Sequence, residues 1–275
     1  MVINHNLASM YQNRQLKMNK AKTADSSRKL SSGYRINEDS DDAAGLCISE
    51  TMRHQVRGLD RASANVQDGI SMIQTADAAL EETQQILDRM VELTTQAAND
   101  INTTADRDAI QEEIDQLTEE IDRIAYDTNF NEQYMLAAGT PKAHPGYFNI
   151  QTGSIGGQSI KFEFVDATKE NLGVDKIDVS SYDSAGEAIE KIQNAIAKAG
   201  EWRDEFGTVQ EQLEHATRGV DTTGENTQSA ESKIRDTDMN SELLKFTTNK
   251  ILVNASQSLL AQYNDRPKAV LVLLK

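Results

Sequence analysis

The chain has 275 residues, with 28 Lys and Arg against 44 Asp and Glu, a formal net charge of -16 and a pI near 4.7. Only 38% of it is hydrophobic and 5% aromatic, which argues against a thick two-layer enzyme core. The acidic balance excludes non-specific nucleic-acid binding, the single Cys47 excludes an internal disulfide or a Cys-rich zinc site, and no run of 18 apolar residues is present to span a membrane.

Met1 to Lys22 is polar and lacks the apolar stretch of a secretory signal, so composition alone gives a cytoplasmic default. From Met1 to Arg35 there are seven Lys and Arg and one acid, a balance of +6; Met239 to Lys275 gives +3 and Ile36 to Asp238 gives -25. The ends are basic and the middle is acidic. The prolines are Pro141, Pro145 and Pro267, so long stretches are free of the residue that costs about 3 kcal/mol inside a helix.

The cluster Glu38-Asp39-Ser40-Asp41-Asp42 has a calcium-loop flavour, but in the frame that starts at Asp39 the sixth position is Ala44 where a turn glycine is needed. Acids capping a helix N-terminus are the better reading. Next, Met52, Leu59, Val66, Ile73, Leu80 and Leu87 recur every seven residues, as one column of a coiled coil. The companion column taken with it, Val56, Ser63, Ile70, Asp77, Gln84 and Val91, is half polar. Asn99 to Thr104 predicts a helix end followed by a new N-cap, and Ile110, Ile114, Leu117, Ile121 and Ile124 then space as 4-3-4-3.

From Gly139 to about Ser184 the period changes. Phe148 and Ile150, then Ile160, Phe162 and Phe164, alternate around Gly153-Ser154-Ile155-Gly156-Gly157, which predicts a β-hairpin. Beyond it, Phe206, Val209, Leu213, Ala216 and Val220 return to helical spacing. The expected fold is mainly α: a long antiparallel helical bundle or coiled-coil rod of paired N- and C-terminal segments, with a small β-hairpin region inserted in the middle.

No chemistry stands out along the way. His5, His54, His144 and His215 lack partners at ligand spacing, so no metal site is expected. Glu81-Glu82, Glu112-Glu113 and Glu119-Glu120 belong to solvated helix faces. Cys47, within Ala43-Ala44-Gly45-Leu46-Cys47-Ile48, is expected to be a small buried hydrophobe. No glycine-rich phosphate loop follows a strand, and neither an enzyme nor a cofactor is expected.

The words at the two ends are more specific. Lys29-Leu30-Ser31-Ser32-Gly33-Tyr34-Arg35-Ile36-Asn37, then Asp41-Asp42-Ala43-Ala44-Gly45, Ala64-Asn65-Val66-Gln67-Asp68-Gly69-Ile70-Ser71, Glu120-Ile121-Asp122-Arg123-Ile124 and Asn129-Phe130-Asn131 resemble the N-terminal part of bacterial flagellins. Ala230-Glu231-Ser232-Lys233-Ile234-Arg235-Asp236-Thr237-Asp238-Met239 and Val270-Leu271-Val272-Leu273-Leu274-Lys275 resemble the C-terminal part. The resemblance covers about residues 1–140 and 186–275, in the right order.

It implies a short flagellin, with residues 1–40 and 240–275 as an inner layer of terminal helices, 41–140 and 186–239 as a helical rod, and 141–185 as a small β insertion belonging to the rod. The implied role is a secreted structural subunit that polymerises head-to-tail into the extracellular flagellar filament for motility. Its implied partners are copies of itself, the flagellar type III export apparatus, an export chaperone and the filament cap, without nucleic acid or membrane insertion. Leu7, Leu16, Leu30, Leu252, Leu259 and Leu271 are the expected assembly residues, on ends expected to order only on polymerisation. The basic ends and acidic middle suggest attraction between layers, which neutralising Arg14, Lys17, Lys20 and Lys22 would test.

The resemblance also implies recognition by the innate-immune Toll-like receptor for flagellin, through Arg89, Glu92, Leu93, Gln96 and Glu113. Val91 stands where receptor-activating flagellins usually carry Arg, and Thr94-Thr95 and the segment Tyr263 to Lys268 also depart from the family pattern, which implies attenuated signalling. Two alternatives are a hook–filament junction protein of the flagellum and an intracellular coiled-coil scaffold.

Overall fold

The computed structural model describes residues 6–137, 147–163 and 165–273, with side chains as far as residue 266. In chain order the elements are α1 (Leu7–Ser32), α2 (Ala43–Ala97), α3 (Thr104–Asp127), the short strands β1 (Asn129–Phe130) and β2 (Gln133–Tyr134), β3 (Tyr147–Gln151), β4 (Ser159–Glu163), α4 (Lys169–Leu172), α5 (Tyr182–Arg235) and α6 (Met239–Leu273). The mainly helical architecture and the β3–β4 hairpin are what the periodicities predict; the two-residue antiparallel pair β1–β2 is a second small sheet that they do not. The contacts divide the chain into two compact units: Met1–Gln55 with Glu225–Lys275, and Val56–Gly224.

The helix boundaries follow from local chemistry. Asn6 caps α1 by accepting from the Ser9 N–H at 3.0 Å, and Gly33, at a φ of 76°, ends it. Asp42 accepts from the Gly45 N–H at 2.9 Å at the start of α2, so the acidic cluster does contain a helix cap. The Asp41 carboxylate accepts from the Asn37 and Glu38 N–H groups; these bonds and the nearby Arg28 guanidinium hold its pKa below the usual carboxylate range. At the predicted break before α3, Thr103 and Asp106 form a capping box.

In the second unit, Leu59, Ala62, Val66, Gly69, Ile73, Ala76, Leu80, Thr83, Leu87, Met90, Thr94 and Ala97 of α2 are buried in an unbroken 3-4 series, with Met72 and Leu93 buried beside it. The large column matches the one read from the sequence. Its true companion is three residues on, not four, and is made of small side chains such as Ala62, Gly69 and Ala76. The expected companions Val56, Ser63, Ile70, Asp77, Gln84 and Val91 are half-buried and flank the seam. On α5 the matching series is Ala185, Ala188, Ile192, Ala195, Ala199, Phe206, Leu213 and Val220.

These faces close two main cores. One joins the last turns of α2 with α3, the first third of α5 and Leu172 to Val179. The other joins mid-α2, Met135 and Leu136, the hairpin, and Phe206 and Leu213 of α5. Arg203 crosses from α5 to α2, donating to Asp77 and Gln84 at 3.0 Å each. Strands β3 and β4 pair antiparallel with Phe148 opposite Phe162 and Ile150 opposite Ile160, as the alternation predicts. Phe164, at the end of that alternation, lies outside the described residues. The hairpin packs closely on α2 at Gly69: a Cβ there would lie 2.3 Å from Ile150 Cδ1, so the Ile150 side chain would have to shift to admit one.

Candidate assembly surfaces

The first unit is built the other way round. Its helices α1 and α6 run antiparallel against each other. Among the described side chains of α6, those not exposed are Glu242, Phe246, Asn249, Val253, Ser256, Leu260 and Tyr263, a 4-3 seam. Facing it are Ser9, Gln12, Leu16, Asn19, Thr23, Ser26 and Leu30 of α1. More than half of this interior is polar, and it is held by hydrogen bonds. Asn19 Nδ2 donates to Ser256 Oγ at 3.1 Å, Asn6 Nδ2 to the Tyr263 carbonyl at 2.8 Å, and Ser9 Oγ to Asn264 Oδ1 at 2.6 Å. Glu242 is only 5% exposed; the Ser26 hydroxyl, opposed by desolvation and helped by Lys245, holds its pKa below the usual range.

The apolar side chains lie outside. Leu7 is 75% exposed, Leu244 70% and Ile251 67%, and Met10, Tyr11, Met18, Leu243, Leu252 and Leu259 are exposed as well. On α6, Leu244, Ile251, Leu252 and Leu259 fall within about 100° of arc at 100° per residue, on the side away from α1. Among the described residues, Leu16 and Ile36 are the only buried hydrophobic side chains of this unit. A helix pair with a polar seam and apolar outer stripes gains little from folding alone and much from further helices.

The six expected assembly leucines therefore separate. Leu7, Leu252 and Leu259 are exposed on the outer stripes, whereas Leu16 is buried in the α1–α6 seam and Leu30 half-buried there. The Leu271 side chain lies outside the described residues. At the base of the pair, Arg235 donates to Ser49 Oγ and ion-pairs with Glu50, and its guanidinium lies 5.0 Å from the centre of the Tyr34 ring. Sequence reasoning missed this cluster, because its members are far apart in the chain. Cys47, expected to be buried, is exposed, since it falls off the face of α2 that carries Ser49.

Charge separates in the same way. The first unit holds 15 Lys and Arg against 12 Asp and Glu, and the second 13 against 32. The residues expected to meet the receptor lie in the second unit. Arg89 of α2 donates to Glu113 of α3 at 3.0 Å and to Glu92 at 2.9 Å, and Gln96 is exposed one turn further on. These contacts raise the Arg89 pKa above its ordinary value. Leu93 departs from this face: it is 2% exposed and sits in the core beneath, and Val91 packs half-buried against that core.

Comparison with known proteins accounts for both units. Residues 3–140 match the family described as the bacterial flagellin N-terminal helical region, and residues 189–274 match the bacterial flagellin C-terminal helical region. The flagellin of Halalkalibacterium halodurans is 43% identical and that of Bacillus subtilis 40%, each covering all of both chains. The flagellar filament 30.7 kDa core protein of Treponema maltophilum is 41% identical, again over all of both chains. The crystal structure of Bacillus cereus flagellin aligns with a TM-score of 0.52 at 33% identity, covering 57% of this chain and 88% of that one. A putative flagellar hook-associated protein from Vibrio parahaemolyticus aligns with a TM-score of 0.60 over 71% of this chain, but at 11% identity, and so shares the fold alone. These full-length relatives set aside the junction-protein and scaffold readings, and the chain belongs to the bacterial flagellin family as a structural subunit of the flagellar filament.

Proposed function

We propose that the outer stripes of α1 and α6 are the surfaces through which this subunit polymerises, with the stripe on one copy meeting a different surface on the next. The observation that supports this is the inverted pattern of the first unit, apolar outside and polar inside. Two unlike stripes favour a heterologous contact, which does not close and so propagates as a helix. In this reading residues 1–40 and 240–275 form the inner layer, 41–140 and 186–239 the helical rod around it, and 141–185 its small insertion. The subunit leaves the cell through the flagellar export apparatus, attended by an export chaperone and placed by the filament cap, and ends in an extracellular filament.

The test is Leu7→Ser combined with Leu244→Ser and Ile251→Ser. These side chains are already exposed, so the unfolding midpoint of the monomer stays close to the parent's, while sedimentable filaments seen by electron microscopy are lost. Normal filaments from the triple variant would refute the assignment.

A second reading concerns the Toll-like receptor for flagellin. It is favoured by the exposed Arg89–Glu92–Glu113 network on one surface of α2 and α3, with Gln96 beside it and Leu93 supporting it from beneath. Val91, turned into the core edge, leaves that surface one cation short, so signalling is attenuated. In a receptor-reporter assay with purified monomer, Val91→Arg raises potency and Arg89→Ala lowers it; a parent already as potent as a typical flagellin would refute the attenuation.

A further inference from the structure

The β3–β4 hairpin turns Phe148, Ile150, Ile160 and Phe162 toward the helices, and Phe148 and Phe162 stack with ring centres 5.3 Å apart. Among the described residues each strand pairs only with the other, so β4 presents an outer edge of backbone donors and acceptors with no strand beside it. Such an edge usually invites another strand unless something blunts it. Here it borders a groove of about 430 Å³, with Lys161, Phe162 and Glu163 of β4 on one wall and Glu205, Phe206 and Val209 of α5 on the other. Phe162 and Phe206 belong to the core beneath, so the floor is apolar and preformed.

A free strand edge, a facing helix and an apolar floor between them form the arrangement that takes up an extended peptide as an added strand. We propose that this groove binds an extended segment of another protein, as a third strand on β4, with alternate apolar side chains entering the groove and Lys or Arg at its rim. The charge of the rim selects that chemistry. Glu163, Asp204 and Glu205 are exposed around it, and Lys161, the one cation among the described lining residues, is drawn 5.0 Å from the centre of the Tyr147 ring. The same charge disfavours the second unit of another copy as occupant, because that unit carries 13 Lys and Arg against 32 Asp and Glu.

The full chain, isotopically labelled and monomeric, is titrated with a nine-residue peptide that alternates Val with Lys and Thr. Three controls accompany it: the same peptide with Glu for Lys, the same peptide interrupted by Pro, and spermine. The expected result is saturable shifts confined to residues 159–163 and 204–209, with slowed amide exchange along β4. The Glu peptide binds at least about fivefold more weakly, in keeping with a few rim charge pairs, and the Pro peptide not at all. Two exposed substitutions, Asp204→Lys with Glu205→Lys, reverse the preference between the Lys and Glu peptides, and Val209→Arg blocks both. Absence of saturable shifts at β4 would overturn the proposal. So would equal shifts with spermine and no protection of β4, or protection that grows with protein concentration when no peptide is present, which would assign the edge to a second copy.

Discussion

The same substitution should have opposite signs at two glycines of the second unit. At Gly69 of α2 an added methyl would lie 2.3 Å from Ile150 Cδ1 and 3.3 Å from Ile150 Cγ1, in a packed core. At Gly200 of α5 it would meet nothing within 4 Å. Both alanines gain about 1 kcal/mol of helix stability from reduced freedom of the unfolded chain. At Gly200 that gain stands alone. At Gly69 it is opposed by overpacking of about 1–3 kcal/mol, so Gly69→Ala ends between neutral and about 2 kcal/mol destabilising. The difference between the two variants isolates the packing energy of the hairpin on α2. Ile150→Val removes the offending Cδ1 and costs about 0.5–1.5 kcal/mol alone, but in the Gly69→Ala background it relieves the clash, so the pair couples favourably. Urea unfolding of the monomer followed by circular dichroism measures all four corners of the cycle. If Gly69→Ala is as stabilising as Gly200→Ala, or if the two substitutions are additive, the hairpin does not rest on α2 at this position.

Other consequences are more local. Thr103→Ala removes the capping box of α3 and costs about 0.5–2 kcal/mol in the same unfolding assay; a neutral result would show that the cap does not hold α3. Glu242 has a lowered pKa in the folded chain, so its contribution is present above its unfolded pKa and is lost as pH falls through the folded one. The groups facing it are Ser26, Lys29 and Lys245, and Glu242→Gln therefore removes part of the acid sensitivity of amide protection in α1 and α6. Copies whose second units carry 13 cations against 32 anions repel at low salt, so filament growth speeds up as ionic strength rises from about 0.02 to 0.2 M, where the screening length falls below about 10 Å. Growth independent of salt would rule out that repulsion.

What the sequence showed depended on whether side-chain size and side-chain burial coincided. Along α2 the large column from Leu59 to Leu87 marks the buried face, because each member is apolar and heptad-spaced. Its companion column was misplaced by one residue, because Ala62, Gly69, Ala76 and Thr83 are too small or too polar to stand out, although close helix packing needs small side chains there. The hairpin was legible because alternation and a glycine-rich turn point the same way. The terminal helices were the hardest to read. Their buried seam is polar and their exposed stripes are apolar, so leucines alone do not separate the faces: Leu7 and Leu16 were both expected on the assembly surface, but Leu16 lies in the α1–α6 seam and Leu7 on the outer stripe. Cys47 failed for the converse reason: a small apolar-leaning residue among alanines gives no sign of which face it occupies.

That inversion sets a concentration dependence on stability that the second unit does not share. Within one copy, the α1–α6 seam exchanges water hydrogen bonds for those of Asn19, Ser256, Ser26 and Glu242, each worth about 1 kcal/mol net. Ordering two long helices costs more than such a seam returns. Burying Leu7, Leu244, Ile251, Leu252 and Leu259 against other copies adds about 1.5–3 kcal/mol for each side chain fully covered, but only in the polymer. Binding that acts on the folded form alone raises its apparent stability by mass action, so assembly stabilises α1 and α6 selectively. Amide exchange should therefore be fast in α1 and α6 of the dilute monomer and slow by orders of magnitude in the filament, while α3 and mid-α2, which close their own cores, change far less. Equal protection of α1 and α3 in the dilute monomer would mean that the polar seam is sufficient by itself, and the outer stripes would then have to serve something other than completing the fold.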